Sequence, residues 1–222
     1  DMLVLEIKLD EQKMDIHRTD NPWLTRAAQS LAEAFRLAAS KELDVEFTEL
    51  VTGYRIRTNA AGAFVDVYLY DSLSSGAGYA VSVADNIEKL LKQIRELLVS
   101  CDCGSACHRC LKHYRNQYVH GLLDRFAALE LLEWGTSGKL AESLSVEEQH
   151  SLLLPLESIL RVSGCTLVAL DDCILVKRKG KERKLVVYPA MWKEPQREDT
   201  VYVSNAYIKY AKPYAVQKIL NS

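Results

Sequence analysis

Four cysteines within one short segment have the residue type and spacing best suited to chemistry. Cys101, Cys103, Cys107 and Cys110 follow the pattern C-x-C-x3-C-x2-C. Four thiolates can enclose Zn²⁺ in a tetrahedral shell, which is typical of structural zinc sites and leaves no coordination position open for water. The spacing therefore predicts a zinc knuckle whose metal stabilises the fold and does no catalysis.

Other uses of the same thiols stay open at this point. An iron–sulfur cluster takes the same ligands, and Cys107 and Cys110 also have the spacing of a redox pair. Disulfides between such close neighbours would close only very small loops, so the clustering favours a reducing, cytoplasmic compartment. His108, His113 and His120 are alternative ligands, but a complete set of sulfurs predicts that they lie outside the metal shell.

The segments around the cysteines are predicted to form a small sheet with packed helices. Alternating apolar residues over 2–9 predict a strand, and β-branched and aromatic residues over 64–70 predict a central strand. Helical periodicity predicts a helix after Pro22, a long helix over 79–99, and a third over 122–134 that ends at Gly135. The long helix leads directly into the cysteine segment.

A small-residue stretch over 135–142 is the most linker-like part of the chain. We therefore predict a zinc-binding module over residues 1–138 and a C-terminal subdomain over 139–222. The second part has a capping box at 145–148, a β-hairpin pattern and a final helix over 205–220. The predicted class is α/β of the α+β type: a small mixed sheet with packed helices and a four-cysteine zinc knuckle, then an α+β appendage.

Charge limits the classes of partner. The net charge of -2 gives no overall attraction to nucleic acid or to an anionic membrane, so contacts with a polyanion must come from local patches. No stretch is apolar over the roughly 20 residues that a membrane span requires. The densest basic patch is the predicted hairpin turn, where the candidate contacts to a nucleic-acid backbone are Lys177, Arg178, Lys179, Lys181, Arg183 and Lys184.

A loop of small residues between the central strand and the long helix is a second candidate anion site. Free backbone N–H groups at a helix N-terminus can hold phosphate oxygens. A simple turn without a ligand is the alternative. The loop residues concerned are Ser75, Gly76, Ala77 and Gly78.

The order of these motifs also resembles a known family. The resemblance is carried by the runs Tyr70-Asp-Ser-Leu-Ser-Ser-Gly-Ala-Gly-Tyr79, Cys101-Asp-Cys-Gly-Ser-Ala-Cys-His-Arg-Cys110 and Leu111-Lys-His-Tyr-Arg-Asn-Gln-Tyr-Val-His-Gly-Leu-Leu-Asp-Arg125. Over roughly residues 1–135 the chain resembles the helicase-associated, MrfA-type zinc-binding (MZB) domain. It departs from the family at Ser75, where a glycine is common.

In that family the domain usually follows a DEAD/DEAH-type superfamily 2 helicase core, in DNA-repair helicases and in phage-defence proteins of the DISARM type. The resemblance implies Zn²⁺ bound by the four cysteines, and DNA and a helicase core as partners, with the core in cis or in trans. We therefore expect a non-catalytic module that helps an ATP-dependent helicase to engage or separate DNA strands. The candidate phosphate contacts near the knuckle are Arg109, Lys112, Arg115 and Arg125.

Two further functions remain as alternatives. One is an assembly module that docks onto a motor or a defence complex. The other is a Mg²⁺-dependent nuclease that uses Asp172 with the E-x-K element Glu182-Arg-Lys184. ATP hydrolysis by this chain alone is not expected, because Gly135-Thr-Ser-Gly-Lys-Leu140 lacks both the P-loop spacing and its Mg²⁺-binding hydroxyl. The start at Asp1, inside a predicted strand, is compatible with the tail of a longer polypeptide.

Overall fold

The computed structural model describes residues 1–16, 22–72 and 78–221, which form seven β-strands and eight α-helices. The strands are β1 (Met2–Leu9), β2 (Leu50–Asn59), β3 (Gly62–Asp71), β4 (Cys165–Ala169), β5 (Ile174–Arg178), β6 (Lys181–Tyr188) and β7 (Thr200–Ser204). The helices are α1 (Trp23–Leu43), α2 (Tyr79–Asp85), α3 (Ile87–Val99), α4 (Arg125–Ser137), α5 (Val146–Leu153), α6 (Glu157–Val162), α7 (Asn205–Tyr210) and α8 (Lys212–Leu220). The 3-10 helices are Phe47–Glu49, Tyr114–Val119 and Leu154–Leu156.

The chain divides into two compact units. The first comprises Asp1–Glu11 and Leu24–Leu140, and the second comprises Gln12–Trp23 and Ala141–Ser222. Each unit combines a small sheet with helices, which confirms the α+β class. No helix among the described residues has the length and apolar character needed to cross a membrane.

The first unit is built on an antiparallel sheet in the order β1-β3-β2. The prediction of β3 as the central strand is confirmed, and its side chains Val65, Val67 and Leu69 are fully buried. The prediction of a mixed sheet in this module is wrong, because both of its strand pairings are antiparallel. Helix α1 contributes Leu31 and Phe35 to the core, and both are fully buried.

The predicted long helix over 79–99 is broken. Asn86, with φ −120° and ψ 27°, separates α2 from α3. Its side-chain amide donates to the carbonyl of Ser82 over 3.2 Å, a local bond of the kind that competes with helix propagation. Only α3, with Leu90, Ile94 and Leu98 buried along one face, leads into the cysteine segment.

The helix after the cysteines begins and ends later than predicted. Asp124 is its N-cap and accepts from the backbone N–H groups of Phe126 and Ala127. The helix ends at Gly138, which has a left-handed φ of 68°, and not at Gly135. Gly135 lies within the helix, where an added Cβ would come within 3.1–3.3 Å of the Ile7 side chain, so this glycine serves close packing.

The second unit contains the mixed sheet, in the order β4-β5-β6-β7 with β6 and β7 parallel. Its core lies between this sheet and residues from α5 to α8. The predicted capping box of Ser145 and Glu148 is confirmed. The predicted final helix is interrupted at Ala211, and Pro213 is the second residue of the new helix α8, since proline cannot donate the hydrogen bond that a helix interior needs.

Candidate metal centre

The structure brings the four predicted cysteines together. Their Sγ atoms all lie within 4.8 Å of one another. The Sγ atoms are 3.5 Å apart for Cys101 and Cys107, 3.7 Å for Cys103 and Cys110, and 3.9 Å for Cys107 and Cys110. All four are free thiols, so disulfides do not explain the cluster.

These separations fit a tetrahedral metal shell. A zinc–sulfur bond of about 2.3 Å requires sulfur atoms roughly 3.8 Å apart at the corners of a tetrahedron. Cys101 and Cys110 are buried, whereas Cys103 and Cys107 are half-buried, so the cluster lies at the edge of the core. Such a shell of four sulfurs holds a metal and leaves no position for a substrate.

Hydrogen bonds from backbone N–H groups shape the knuckle independently of a bound metal. The N–H groups of Cys110 and Lys112 both donate to the carbonyl of Cys107, over 3.1 and 3.0 Å. The N–H of Arg109 donates to Cys107 Sγ over 3.3 Å, and the N–H of Cys107 donates to Cys110 Sγ over 3.2 Å. Amide donors aimed at sulfur favour thiolates, which are the metal-binding form.

Three of the four thiols have clearly shifted pKa values, and burial raises that of Cys103. The hydrogen bond from the Arg109 N–H lowers the pKa of Cys107 to about 6. Burial raises the pKa of Cys110 to about 12. A divalent cation among the sulfurs favours the thiolate at every position, so it would offset the cost of burying Cys110 in charged form.

Arg125 supports the knuckle from inside the protein. Its Nη1 donates to the carbonyl of Leu98 over 2.8 Å and its Nε to that of Cys103 over 3.0 Å. The side chain also stacks on Phe126, with Cζ 3.9 Å from the ring centroid, and the residue is only 8% exposed. Its expected role as a phosphate contact is therefore wrong, because its guanidinium ties the end of α3 to the cysteine loop.

Arg125→Lys should lower stability without a direct effect on DNA affinity. An ammonium group cannot reproduce the fork that reaches both carbonyls, so at least one buried carbonyl loses its partner. We expect a loss of about 1–3 kcal/mol in the free energy of unfolding, measured by urea denaturation. Arg109→Lys, at an exposed neighbouring position, is the control and should leave that free energy nearly unchanged.

A buried polar network centred on Asn116 packs beside the knuckle. Asn116 Nδ2 donates to Glu33 Oε2 over 3.2 Å and to the Leu111 carbonyl over 2.9 Å. Asn116 Oδ1 accepts from the N–H of His113 over 2.9 Å and lies 2.8 Å from His120 Nε2. These histidines lie outside the group of four sulfur atoms.

Glu33 was not predicted as part of this site. His113 Nε2 lies 3.2 Å from its Oε2 oxygen, and the glutamate itself is buried. The available signal was an acidic residue within the apolar run of α1, between Leu31 and Phe35. The spacing of apolar residues along a helix does not predict which residue pairs with such a glutamate, because the partner lies about 80 positions away in sequence.

The surface of the same segment is aromatic and cationic. Tyr114 and Tyr118, in the 3-10 helix after the knuckle, are each 82% exposed. Arg109 and Arg115 are also exposed, and Lys112 is half-buried. We did not predict a role for the two tyrosines, although their motif contributed to the family resemblance.

The small-residue loop gives no support for anion binding in its described part. Ser75, Gly76 and Ala77 lie outside the described residues. The N–H of Gly78 donates to Asp71 Oδ2 over 2.9 Å, and the N–H of Ala80 donates to Asp71 Oδ1 over 3.2 Å. The Asp71 carboxylate therefore already accepts hydrogen bonds from the backbone N–H groups at the start of α2 that an anion would need.

The basic hairpin differs from its prediction. The turn is only Lys179-Gly180, and the other basic residues lie in β5 and β6. The E-x-K nuclease geometry is absent: Glu182 pairs with Lys177, whereas Asp172 precedes β5 at its other end. Five residues of extended strand separate these ends by roughly 17 Å, so the two carboxylates cannot share a metal ion.

The comparisons with known proteins agree with this centre. Residues 24–111 match the family model described as the MrfA Zn-binding domain. The chain is 32% identical over 194 residues to the Druantia protein DruE of Escherichia coli (strain UMEA 4076-1), covering 83% of this chain and 11% of DruE. It therefore spans about a tenth of that relative's length.

Two further similarities cover smaller parts of the chain. An uncharacterized protein of Methanocaldococcus jannaschii is 31% identical over 67 residues, which are 30% of this chain and 60% of that protein. The crystal structure of the DUF1998 helicase MrfA bound to DNA is similar over 54% of this chain and 15% of that chain, with a TM-score of 0.42 and 15% identity. The family match and the cysteine cluster lie within one unit, and residues 24–111 are similar to the MrfA Zn-binding domain.

Proposed function

We propose that this zinc-binding module helps an ATP-dependent helicase to engage or separate DNA strands, with the helicase core in cis or as a bound subunit. The module itself does no chemistry. Cys101, Cys103, Cys107 and Cys110 hold a structural Zn²⁺, which fixes the knuckle and the segment after it. DNA repair and phage defence are the two processes in which we expect such a helicase to act.

The exposed pair Tyr114 and Tyr118 is the observation that carries the proposal. A tyrosine that only packs into the core buries its ring, whereas these two rings face solvent beside the metal centre. Base stacking on exposed aromatic rings, combined with contacts from cations to phosphates, is a common mode of binding single strands. The surface therefore fits a single-stranded segment of DNA.

Local charge also supports DNA as the ligand. Between Asp102 and Asp124 the sequence contains no aspartate or glutamate, although the whole chain is slightly acidic. The same segment contains Arg109, Lys112 and Arg115. This surface can therefore attract phosphates even though the net charge of the chain cannot.

Binding to a labelled single-stranded oligonucleotide, followed by fluorescence anisotropy, tests the proposal. Tyr118→Ala should weaken binding about tenfold, because one stacked base is worth roughly 1–3 kcal/mol. Tyr118→Phe keeps the ring and should bind nearly as well as the original chain. Equal affinities for Tyr118→Ala and Tyr118→Phe would count against stacking.

Salt dependence separates DNA engagement from the assembly alternative. Contacts from three cations to a single strand predict that log K falls with log salt at a slope of about −2. Arg115→Ala should make that slope smaller by about 0.7. A module that only docks onto a protein through apolar contacts should show no saturable oligonucleotide binding at low salt.

A further inference from the structure

We propose that the second unit contains a binding site for phosphate groups, formed by the β5–β6 hairpin and the end of α8. This site does not depend on the DNA role of the first unit. It is a cleft of about 200 Å³. The lining residues are Val176, Arg178, Lys179, Lys181, Arg183 and Ile219.

Strand register determines which basic side chains share the cleft. Residues directly opposite each other on antiparallel strands lie on the same face, and successive residues alternate between faces. Arg178 is opposite Lys181, and Val176 is opposite Arg183, so these four residues share one face. From the sequence alone we predicted one basic patch, whereas the strand register divides these basic residues between the two faces of the hairpin.

The two faces differ in charge compensation. On the other face, Lys177 forms an ion pair with Glu182 over 2.6 Å. On the cleft face no described carboxylate lines the site, and neither Lys181 nor Arg183 has an ion-pair partner among the described residues. Like charges directly opposite each other on paired strands are destabilising, so a bound anion would relieve the repulsion between Arg178 and Lys181.

Arg178 is held in place for this role. It donates to the carbonyl of Leu220 at the end of α8. Its Nε is buried and has no hydrogen-bond partner within the described part of the chain. A guanidinium that is already fixed loses little side-chain freedom when it binds a phosphate, whose oxygens match its donor geometry.

The turn itself retains a lysine at a strained position. Lys179 has a left-handed φ of 49° and Gly180 a φ of 77°. Two-residue turns with positive φ at both positions favour asparagine, aspartate or glycine at the first. A lysine there keeps a positive charge at the rim of the cleft at the expense of local backbone strain, which is typical of functional sites.

Amide NMR of the full chain, titrated with inorganic pyrophosphate at low salt, tests the site. We expect saturable shifts limited to residues near the hairpin and the end of α8. Arg183→Ala should weaken pyrophosphate binding about tenfold, because it removes a charge-assisted hydrogen bond. Lys184→Ala removes the same charge from the adjacent residue on the other face and should change the affinity less than twofold.

Equal weakening by the two alanine variants, or the absence of saturable shifts, would overturn the proposal. A short oligo-dT in place of pyrophosphate distinguishes the source of the phosphate. Tighter binding of the oligonucleotide at the same amides assigns the site to a nucleic-acid backbone, and equal or weaker binding assigns it to a small phosphate compound. Tyr118→Ala should leave the pyrophosphate titration unchanged, so failure of this site and failure of the DNA proposal are distinguishable.

Discussion

Replacing Cys110 with serine should abolish zinc binding and unfold much of the structure around the knuckle. A structural zinc contributes about 10 kcal/mol to the folding of a small domain, comparable with the whole stability of a typical domain, about 5–15 kcal/mol. Elemental analysis of the original chain should find one zinc per chain. For Cys110→Ser we expect less than a tenth of that zinc and a melting temperature more than about 10 °C lower.

Cys173→Ser is the matched control, because Cys173 is a half-buried free thiol outside the cluster. It should keep a full equivalent of zinc and change stability by less than about 1 kcal/mol. Hydrogen exchange localises the effect: amides of α3 and α4 should lose protection in Cys110→Ser and retain it in Cys173→Ser. Iron in place of zinc, or a melting temperature equal in both variants, would contradict the structural zinc assignment.

Asn116→Asp should be the most damaging single change outside the cysteines. It keeps the shape of the side chain but places a second carboxylate about where Asn116 Nδ2 now lies, 3.2 Å from Glu33 Oε2. It also removes the donor to the carbonyl of Leu111. Because both groups are buried, we expect a loss of about 3–5 kcal/mol in the free energy of unfolding, measured in urea.

Gln117→Glu makes the same change of charge at the next residue, which is exposed. It should alter the free energy of unfolding by no more than about 0.5 kcal/mol. Adding Glu33→Gln to Asn116→Asp exchanges donor and acceptor, so the double variant should recover about 1–3 kcal/mol of the loss. If Asn116→Asp were as stable as Gln117→Glu, the network would have no structural role.

Some features of the fold follow directly from local sequence. The alternation over 2–9 predicted β1 correctly, because burial of one face imposes a period of two. The run over 64–70 predicted the central strand through its β-branched and aromatic residues, since this strand is buried on both faces. The capping box at Ser145 depends on residues three positions apart and was also predictable. The break at Asn86 was missed because the apolar period continues through it.

Other features depend on contacts that no local pattern contains. Arg125 looked like a cation available to DNA, yet its guanidinium is used by two carbonyls from the preceding segment. Burial of a long basic side chain depends on whether distant backbone offers it acceptors, and spacing carries no such information. The same reason explains why Glu33 was missed and why the basic hairpin was predicted as a single patch.

The sequence by itself determined the set of four thiols, the resemblance of residues 24–111 to the MrfA Zn-binding domain and the class of fold. These three properties depend on the types and spacing of residues within short segments. Residues close together in the chain restrict one another's positions in space. Tertiary structure decided which cations face solvent, which charges are neutralised and which polar groups are buried together. Those properties arise only when strands pair in one register and helices pack, because solvation and Coulomb energy depend on distance in space and not along the chain.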